Sequence, residues 1–376
     1  MVVHDLAVSL TKQLIQTNTV NPPGNEKDCV RLLAPLLVQA GFQVQEYEYG
    51  AERSSLVARL YPEAGPAIVL SGHLDTVPLG SQAWMHEPFS AVVEDEKIFG
   101  RGSADMKSGV AVLVAAAIHH AASGKQIPLT LALSANEEVG CGGAEQLLQE
   151  KALPAAKCVL VAEPTGNIPC LGHKGVYWLK VLFHGKTAHA AFPQLGDNAL
   201  VKAAQAVIAL NNDLSLGTVH DVMGRATLVT SRLFSGDNYN SVPDRAELGI
   251  DARTTVTMPN THLATAVYNL LAAYEVETEV IFNLPPLWTD PGDPLVQQVF
   301  SSCERIQSIR HTPRIATFYT DGGVLGPGLD NAPTIILGPG ESGMAHQVDE
   351  YVSLAQIHES VDMYLEILNH LGTASR

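Results

Sequence analysis

Basic side chains are scarce in this chain: 23 Lys and Arg stand against 39 Asp and Glu, a formal net charge of −16 over 376 residues. A surface that holds a nucleic-acid backbone needs clustered Lys and Arg, so the composition argues against nucleic acid as a partner. Long uncharged apolar runs are also missing, which removes the membrane-spanning helix. The opening segment MVVHDLAVSLTKQLIQ carries polar and charged residues throughout and lacks the apolar core of a signal peptide. A soluble, cytoplasmic protein with no membrane partner is expected. Cysteines are few, odd in number and scattered, at Cys29, Cys141, Cys158, Cys170 and Cys303. That spread fits buried free thiols in a reducing compartment better than a disulfide framework or a cysteine metal site. Cys141 is expected to be a packing residue.

What the chain does have is length and apolar content. With 376 residues, 46% of them hydrophobic, it exceeds the usual size of one core, and two domains are expected. Helical spacing of Leu, Val and Ile runs over 4–17 and 26–40, and strand-like runs follow at 43–49, 55–61 and 67–71. The almost wholly small and apolar stretch SGVAVLVAAAIHHAA reads as a helix buried against a sheet. The pattern changes near 173–175: strand 176–183, helix 198–210, strands 225–234 and 246–253, helix 262–273 and strand 276–282. This β-α-β-β-α-β order is the signature of a small ferredoxin-like α+β unit. It predicts an inserted domain over 174–284, with residues 1–173 and 285–376 joining into one α/β domain that bears the site.

The chemistry-bearing residues cluster by position. Ala67–Ser71, Leu129–Ala135, Cys158–Ala162 and Thr334–Leu337 are short, β-branched-rich apolar runs, as expected of strands buried on both faces. His73 and Asp75 follow the first, Glu137 and Glu138 the second and Glu163 the third, while the last leads towards His346. Asp105 sits at the entrance of the small-residue helix. In open α/β sheets, ligands bind at the carboxyl ends of the strands. Taken singly, each residue has an ordinary role, such as helix capping for Asp105. Together they fit zinc, which takes imidazole nitrogen and carboxylate oxygen. Two divalent ions can share Asp105, one further held by His73 and Glu163, the other by Glu138 and His346. Three carboxylates and a bridging hydroxide then balance the charge, and a metal-activated water can attack an amide. Glu137 is placed to act as general base, and Asp75 to receive the other ring N–H of His73.

The segments SGHLDTVP, GRGSADMKSG, NEEVGCGGA, AEPT, HGKTAHAAFP, NSVP with DAR, and AHQVDE resemble, in order and from end to end, the di-zinc aminoacylase, deacetylase and carboxypeptidase family. The resemblance implies a mainly parallel-sheet, di-zinc exopeptidase-like catalytic domain with the insertion as a lid. It also implies two zinc ions per chain, replaceable by cobalt or manganese. His73, Asp105, Glu138, Glu163 and His346 would be the metal ligands, Glu137 the base and Asp75 the orienting acid. In the lid, His189 matches a histidine that stabilises the oxyanion, usually in the neighbouring subunit of a dimer. Asn240 and Arg253 match residues at the substrate end, Arg253 being suited to gripping a carboxylate. A cis peptide between Asp105 and Met106 is implied as well. Glu163, where the family's aminopeptidases tend to have Asp, favours an N-acylated substrate. GPGESGMAHQVDEYV is nearer the acetylornithine deacetylase and aminoacylase side than the desuccinylase side. The expected activity is metal-dependent removal of an acyl group from an N-acyl amino acid by a homodimer joined through the lid. The alternatives are a carboxypeptidase or dipeptidase on the same scaffold, and a small-molecule-binding relative without chemistry; Glu137 speaks against the last.

Overall fold

The computed structural model describes residues 2–373. The chain divides into two compact units, Met1–Gly172 with Trp288–Arg376, and His173–Leu287. Among the described residues no helix is long and apolar enough to cross a membrane.

The first unit opens with helices α1 (Val3–Gln16) and α2 (Glu26–Gln39), then strands β1 (Gln43–Gly50), β2 (Arg53–Leu60) and β3 (Ala67–His73). Helix α3 (Ser108–Ala122), strand β4 (Leu129–Ser134), helix α4 (Gly142–Gln149) and strand β5 (Ala156–Val161) follow. The strands β3, β4 and β5 are mutually parallel in the centre of a six-stranded sheet, with the antiparallel pair β1 and β2 at one side. Every residue of β3 and β4 is buried. That is why these runs are continuously apolar instead of alternating. Helix α3 is buried from Ser108 through Ala117, as its small-residue composition predicts.

The second unit holds β6 (Gly175–His184), α5 (Ala199–Asn212), β7 (Thr227–Ser235), β8 (Arg245–Thr254), α6 (Asn260–Leu271) and β9 (Val276–Leu284). Its sheet is antiparallel in the order β7-β8-β6-β9. Burial alternates strictly along β8. One face therefore packs Leu248, Ile250 and Ala252 with Leu179, Val181 and Phe183 against Ala203, Ala206, Leu263 and Val267 of the helices, while Glu247, Asp251 and Arg253 of β8 point to the other. The chain then returns to the first unit through α7 (Pro294–Gln307), the outer parallel strand β10 (Thr334–Ile336) and α8 (Leu354–Thr373).

Two glycines let the backbone close around the end of β5. A Cβ on Gly109, in the first turn of α3, or on Gly338, after β10, would collide with the carbonyl oxygen of Ala162. Both therefore fix the strand end immediately before Glu163. Gly109→Ala is expected to lower stability by about 1–3 kcal/mol through overpacking, read as a lower urea midpoint. An unchanged midpoint would mean that α3 can withdraw from Ala162 without cost.

Candidate metal centre

Three parallel strands deliver the first set of side chains. His73 is the last residue of β3, Glu163 follows β5 by two residues, and the turn Asn136–Glu138 follows β4. Asn136 has a φ of 60°, the left-handed region that Asn tolerates better than most residues. Asp105 enters from the kinked turn Ser103–Lys107 that leads into α3, and its peptide bond to Met106 is cis. His346 departs from the strand-end pattern. It lies ten residues beyond the end of β10, after the short turn Ser342–Met344, on a loop whose path the sheet does not set.

Two sets of donor atoms lie within 4.8 Å of one another around His73, one with Glu137 and Glu163, the other with Glu138 and Asp105. Asp105 Oδ1 is 3.0 Å from His73 Nε2, and Glu163 Oε1 is 3.8 Å from the same nitrogen. Asp105 Oδ2 is 3.3 Å from His346 Nε2, which is 3.2 Å from Glu138 Oε2. The Asp105 carboxylate thus turns one oxygen towards each imidazole. Glu137 Oε2 stands 4.0 Å from His73 Nε2.

The tautomer of His73 follows from its second nitrogen. Nδ1 donates to the carbonyl oxygen of Asp75 at 2.9 Å, so Nε2 is the ring nitrogen left to face Asp105 and Glu163. The expectation that the Asp75 carboxylate takes this bond is replaced by the backbone of the same residue; Oδ1 is 3.6 Å away. The fully buried carboxylate instead accepts the N–H of Glu137 at 3.0 Å and that of Glu138 at 3.2 Å. Asn21 Nδ2 donates to it at 2.9 Å and also donates to Asn136 Oδ1. Asp75 therefore holds the turn that carries both glutamates.

The electrostatics fit a cation site. Burial, with the neighbouring carboxylates, pushes Glu137 and Glu163 well above the usual carboxyl range. Burial and the charge of Asp105 take Glu138 up to about 6. Burial acts upwards on Asp105 too, but hydrogen bonds from His346 and His73 outweigh it and hold that carboxyl well below its ordinary value. The hydrogen bonds to Asp105 and Glu138 raise His346 to about 10. Burial opposes the imidazolium of His73, yet Asp105, Glu163 and Glu137 carry it well above its ordinary value. Glu138 Oε1 is buried without a hydrogen-bond partner. Nitrogen and oxygen donors of this kind, converging with too little protein charge to offset them, suit divalent metal ions.

Three neighbours complete the surroundings of the two glutamates. Cys141 Sγ lies 3.8 Å from Glu137 Oε1, so this cysteine does more than pack. Asp321, buried and pushed up to about 6 chiefly by burial, is bonded by the Ser134 hydroxyl. Tyr319 donates to the carbonyl of Glu138 at 3.0 Å. Neither Tyr319 nor Asp321 stands in one of the segments that signal the site.

The second unit places His189 and Asn240 side by side: Ala190 N–H donates to the carbonyl of Asn240 at 2.9 Å, and both side chains are exposed. His189 Nδ1 accepts the N–H of Ala191 at 3.0 Å, which leaves the proton on Nε2. Arg253 is engaged by Asp251 two residues earlier, through Nε at 3.0 Å and Nη2 at 3.1 Å. A second carboxylate would have to share that guanidinium.

Residues 69–370 match the peptidase family M20/M25/M40. A probable succinyl-diaminopimelate desuccinylase of Staphylococcus aureus (strain MRSA252) is 28% identical, over 98% of this chain and 96% of its own length. Aminopeptidase PepT from Bacillus cereus ATCC 10987 shares the fold with a TM-score of 0.79 at 21% identity, covering 98% of each chain. The M20 family metallo-carboxypeptidase Sso-CP2 from Sulfolobus solfataricus does so with a TM-score of 0.80 at 15% identity, covering 98% of this chain and 99% of its own. On the strength of the match through most of its length, this chain belongs to the peptidase family M20/M25/M40 and is an amide-bond hydrolase.

Proposed function

We propose that this chain removes the acyl group from an N-acyl amino acid, using two divalent ions, with zinc as the natural pair. The observation that carries the reading is the division of the Asp105 carboxylate, one oxygen towards His73 and the other towards His346. His73, Glu163 and Asp105 would hold one ion; Glu138, His346 and Asp105 the other. Bound ions of this kind polarise the scissile carbonyl and bring the pKa of a water from about 15.7 towards ~7.

The chain's own groups carry the proton. Glu137, fixed by its N–H on Asp75 and by the Cys141 thiol near Oε1, turns Oε2 towards His73 and the ligand cluster. It takes a proton from the attacking water as the carbon–oxygen bond forms. It then gives that proton to the amide nitrogen as the carbon–nitrogen bond breaks. His189, with its proton on Nε2, is suited to donate to the oxyanion, and Asn240 and Arg253 to hold the substrate's far end. Supply of His189 by a partner chain fits the surface of the second unit. Strand β7 lies at the edge of its sheet, and α5 exposes Leu200, Val201 and Ile208, as a two-fold interface would use. Five unpaired, buried cysteines fit a cytoplasmic location.

A panel of N-acetyl, N-succinyl and longer N-acyl amino acids and dipeptides, assayed with zinc, cobalt or manganese, tests the substrate class. Turnover of N-acyl amino acids is expected, abolished by chelation and restored by metal; preference for dipeptides would contradict the deacylase reading. Glu137→Gln should retain both ions and lose roughly 10²–10⁴-fold in turnover, while Glu138→Gln should weaken one ion. Interchanged phenotypes would reverse those two roles. Inactive His189→Ala and inactive Glu137→Gln chains, mixed under subunit exchange, should regain activity at one site per heterodimer. No recovery in confirmed heterodimers would place His189 outside the partner's reaction.

A further inference from the structure

Two residues from the quoted motifs, Arg101 of GRGSADMKSG and Glu350 of AHQVDE, have no part in the chemistry above, yet they form a fully buried ion pair. Such a pair is costly unless its remaining donors and acceptors are also satisfied. The Glu350 carboxylate is surrounded by donors. Oε1 accepts the N–H groups of Ala104 at 2.8 Å and Asp105 at 3.0 Å. Oε2 accepts the N–H of Gly102 at 2.9 Å and Arg101 Nη1 at 2.7 Å. The backbone donors all lie in the short segment that ends on Asp105.

Arg101 ties the same carboxylate to the loop of His346. Nη1 donates to the carbonyl of Gln347 at 3.1 Å, and Nη2 donates to Pro78 at 3.1 Å and more weakly to His346 at 3.5 Å. The guanidinium also lies over the Trp84 ring, 5.1 Å from its centroid. The N–H of Gly100 donates to the carbonyl of Glu350 at 2.8 Å, and Lys97–Phe99 pairs antiparallel with Tyr351–Ser353 on the far side. His73 is at the end of a buried strand, its ring fixed by the Asp75 carbonyl. His346 sits on a loop, with 53% of its side chain exposed and a positive φ of 64°. Its distance from Asp105 is therefore set by whatever joins those two segments.

We propose that the Arg101–Glu350 pair is a positioning clamp that sets Asp105 against His346 and so selectively supports the ion of Asp105, Glu138 and His346. The proposal rests on the two-ion reading above. The ion of His73 and Glu163 shares the clamped Asp105 carboxylate but takes its other two ligands from strand ends the clamp does not touch, and is affected less.

Zinc titration against a competing chelator, on folded protein checked by circular dichroism, separates the outcomes. The wild type is expected to bind two ions. Glu350→Gln keeps the shape but loses the charge and an acceptor oxygen. It should bind its first ion as the wild type does and its second roughly 10–100-fold more weakly, the usual effect of removing a group that orients a metal ligand. Turnover should recover as zinc is raised, which a general loss of folding would not allow. Arg101→Lys, which keeps the positive charge but loses the fork to the Gln347 and Pro78 carbonyls, should show the same selective loss to a smaller extent. It decides the matter if Glu350→Gln does not fold. Two ions held at wild-type affinity in the folded variant, or both ions weakened alike, would overturn the clamp. A wild type that binds fewer than two ions would overturn the two-ion reading instead.

Discussion

Asp105, Glu137, Glu138 and Glu163 bring their carboxylates into one largely buried pocket facing His73 and His346, and meeting that concentration of negative charge is the constraint on which the surrounding structure depends. Burial raises Glu137, Glu138 and Glu163, as it must where charged oxygens leave water without enough partners. Asp105 escapes because each of its oxygens meets an imidazole. The protein supplies geometry and leaves charge to be supplied from outside, which is how a catalytic metal site differs from a structural ion pair.

Rigid elements carry that geometry in different ways. His73 and Glu163 are placed by strands buried on both faces, with Gly109 and Gly338 closing tightly around Ala162. The Glu137–Glu138 turn is held from below by the Asp75 carboxylate, itself held by Asn21. Asp105 and His346 come from loops, and the Arg101–Glu350 pair takes over the work that a sheet does elsewhere. Glu137 is thus fixed by its backbone, with its side chain oriented by a thiol. This arrangement suits a group that must move a proton without binding an ion.

The strands and the small-residue helix were legible because burial on two faces writes itself as an unbroken apolar run, and Ser108–Ala122 is such a run. The inserted β-α-β-β-α-β unit was legible through alternation, as along Arg245–Thr254. His73, Glu137, Glu138 and Glu163 stood out because the strand ends bring ligand-type residues together in the sequence itself. His346 was legible by type but not by placement, since it is ten residues past its strand. Which atom of Asp75 meets the His73 ring, a carbonyl at 2.9 Å or a carboxylate at 3.6 Å, is a choice that no spacing encodes. Asn21, 54 residues from Asp75, and Arg101, 249 residues from Glu350, form bonds that only the folded chain reveals.

The central claim is that one carboxylate, Asp105, serves two ions. Anomalous diffraction at the zinc edge, on crystals of zinc-loaded protein, tests it most directly. Two peaks about 3.5–4 Å apart are expected on either side of the Asp105 carboxylate, one beside His73 and Glu163, the other beside Glu138 and His346. A single fully occupied peak, or two peaks of which either lies away from Asp105, would contradict the account.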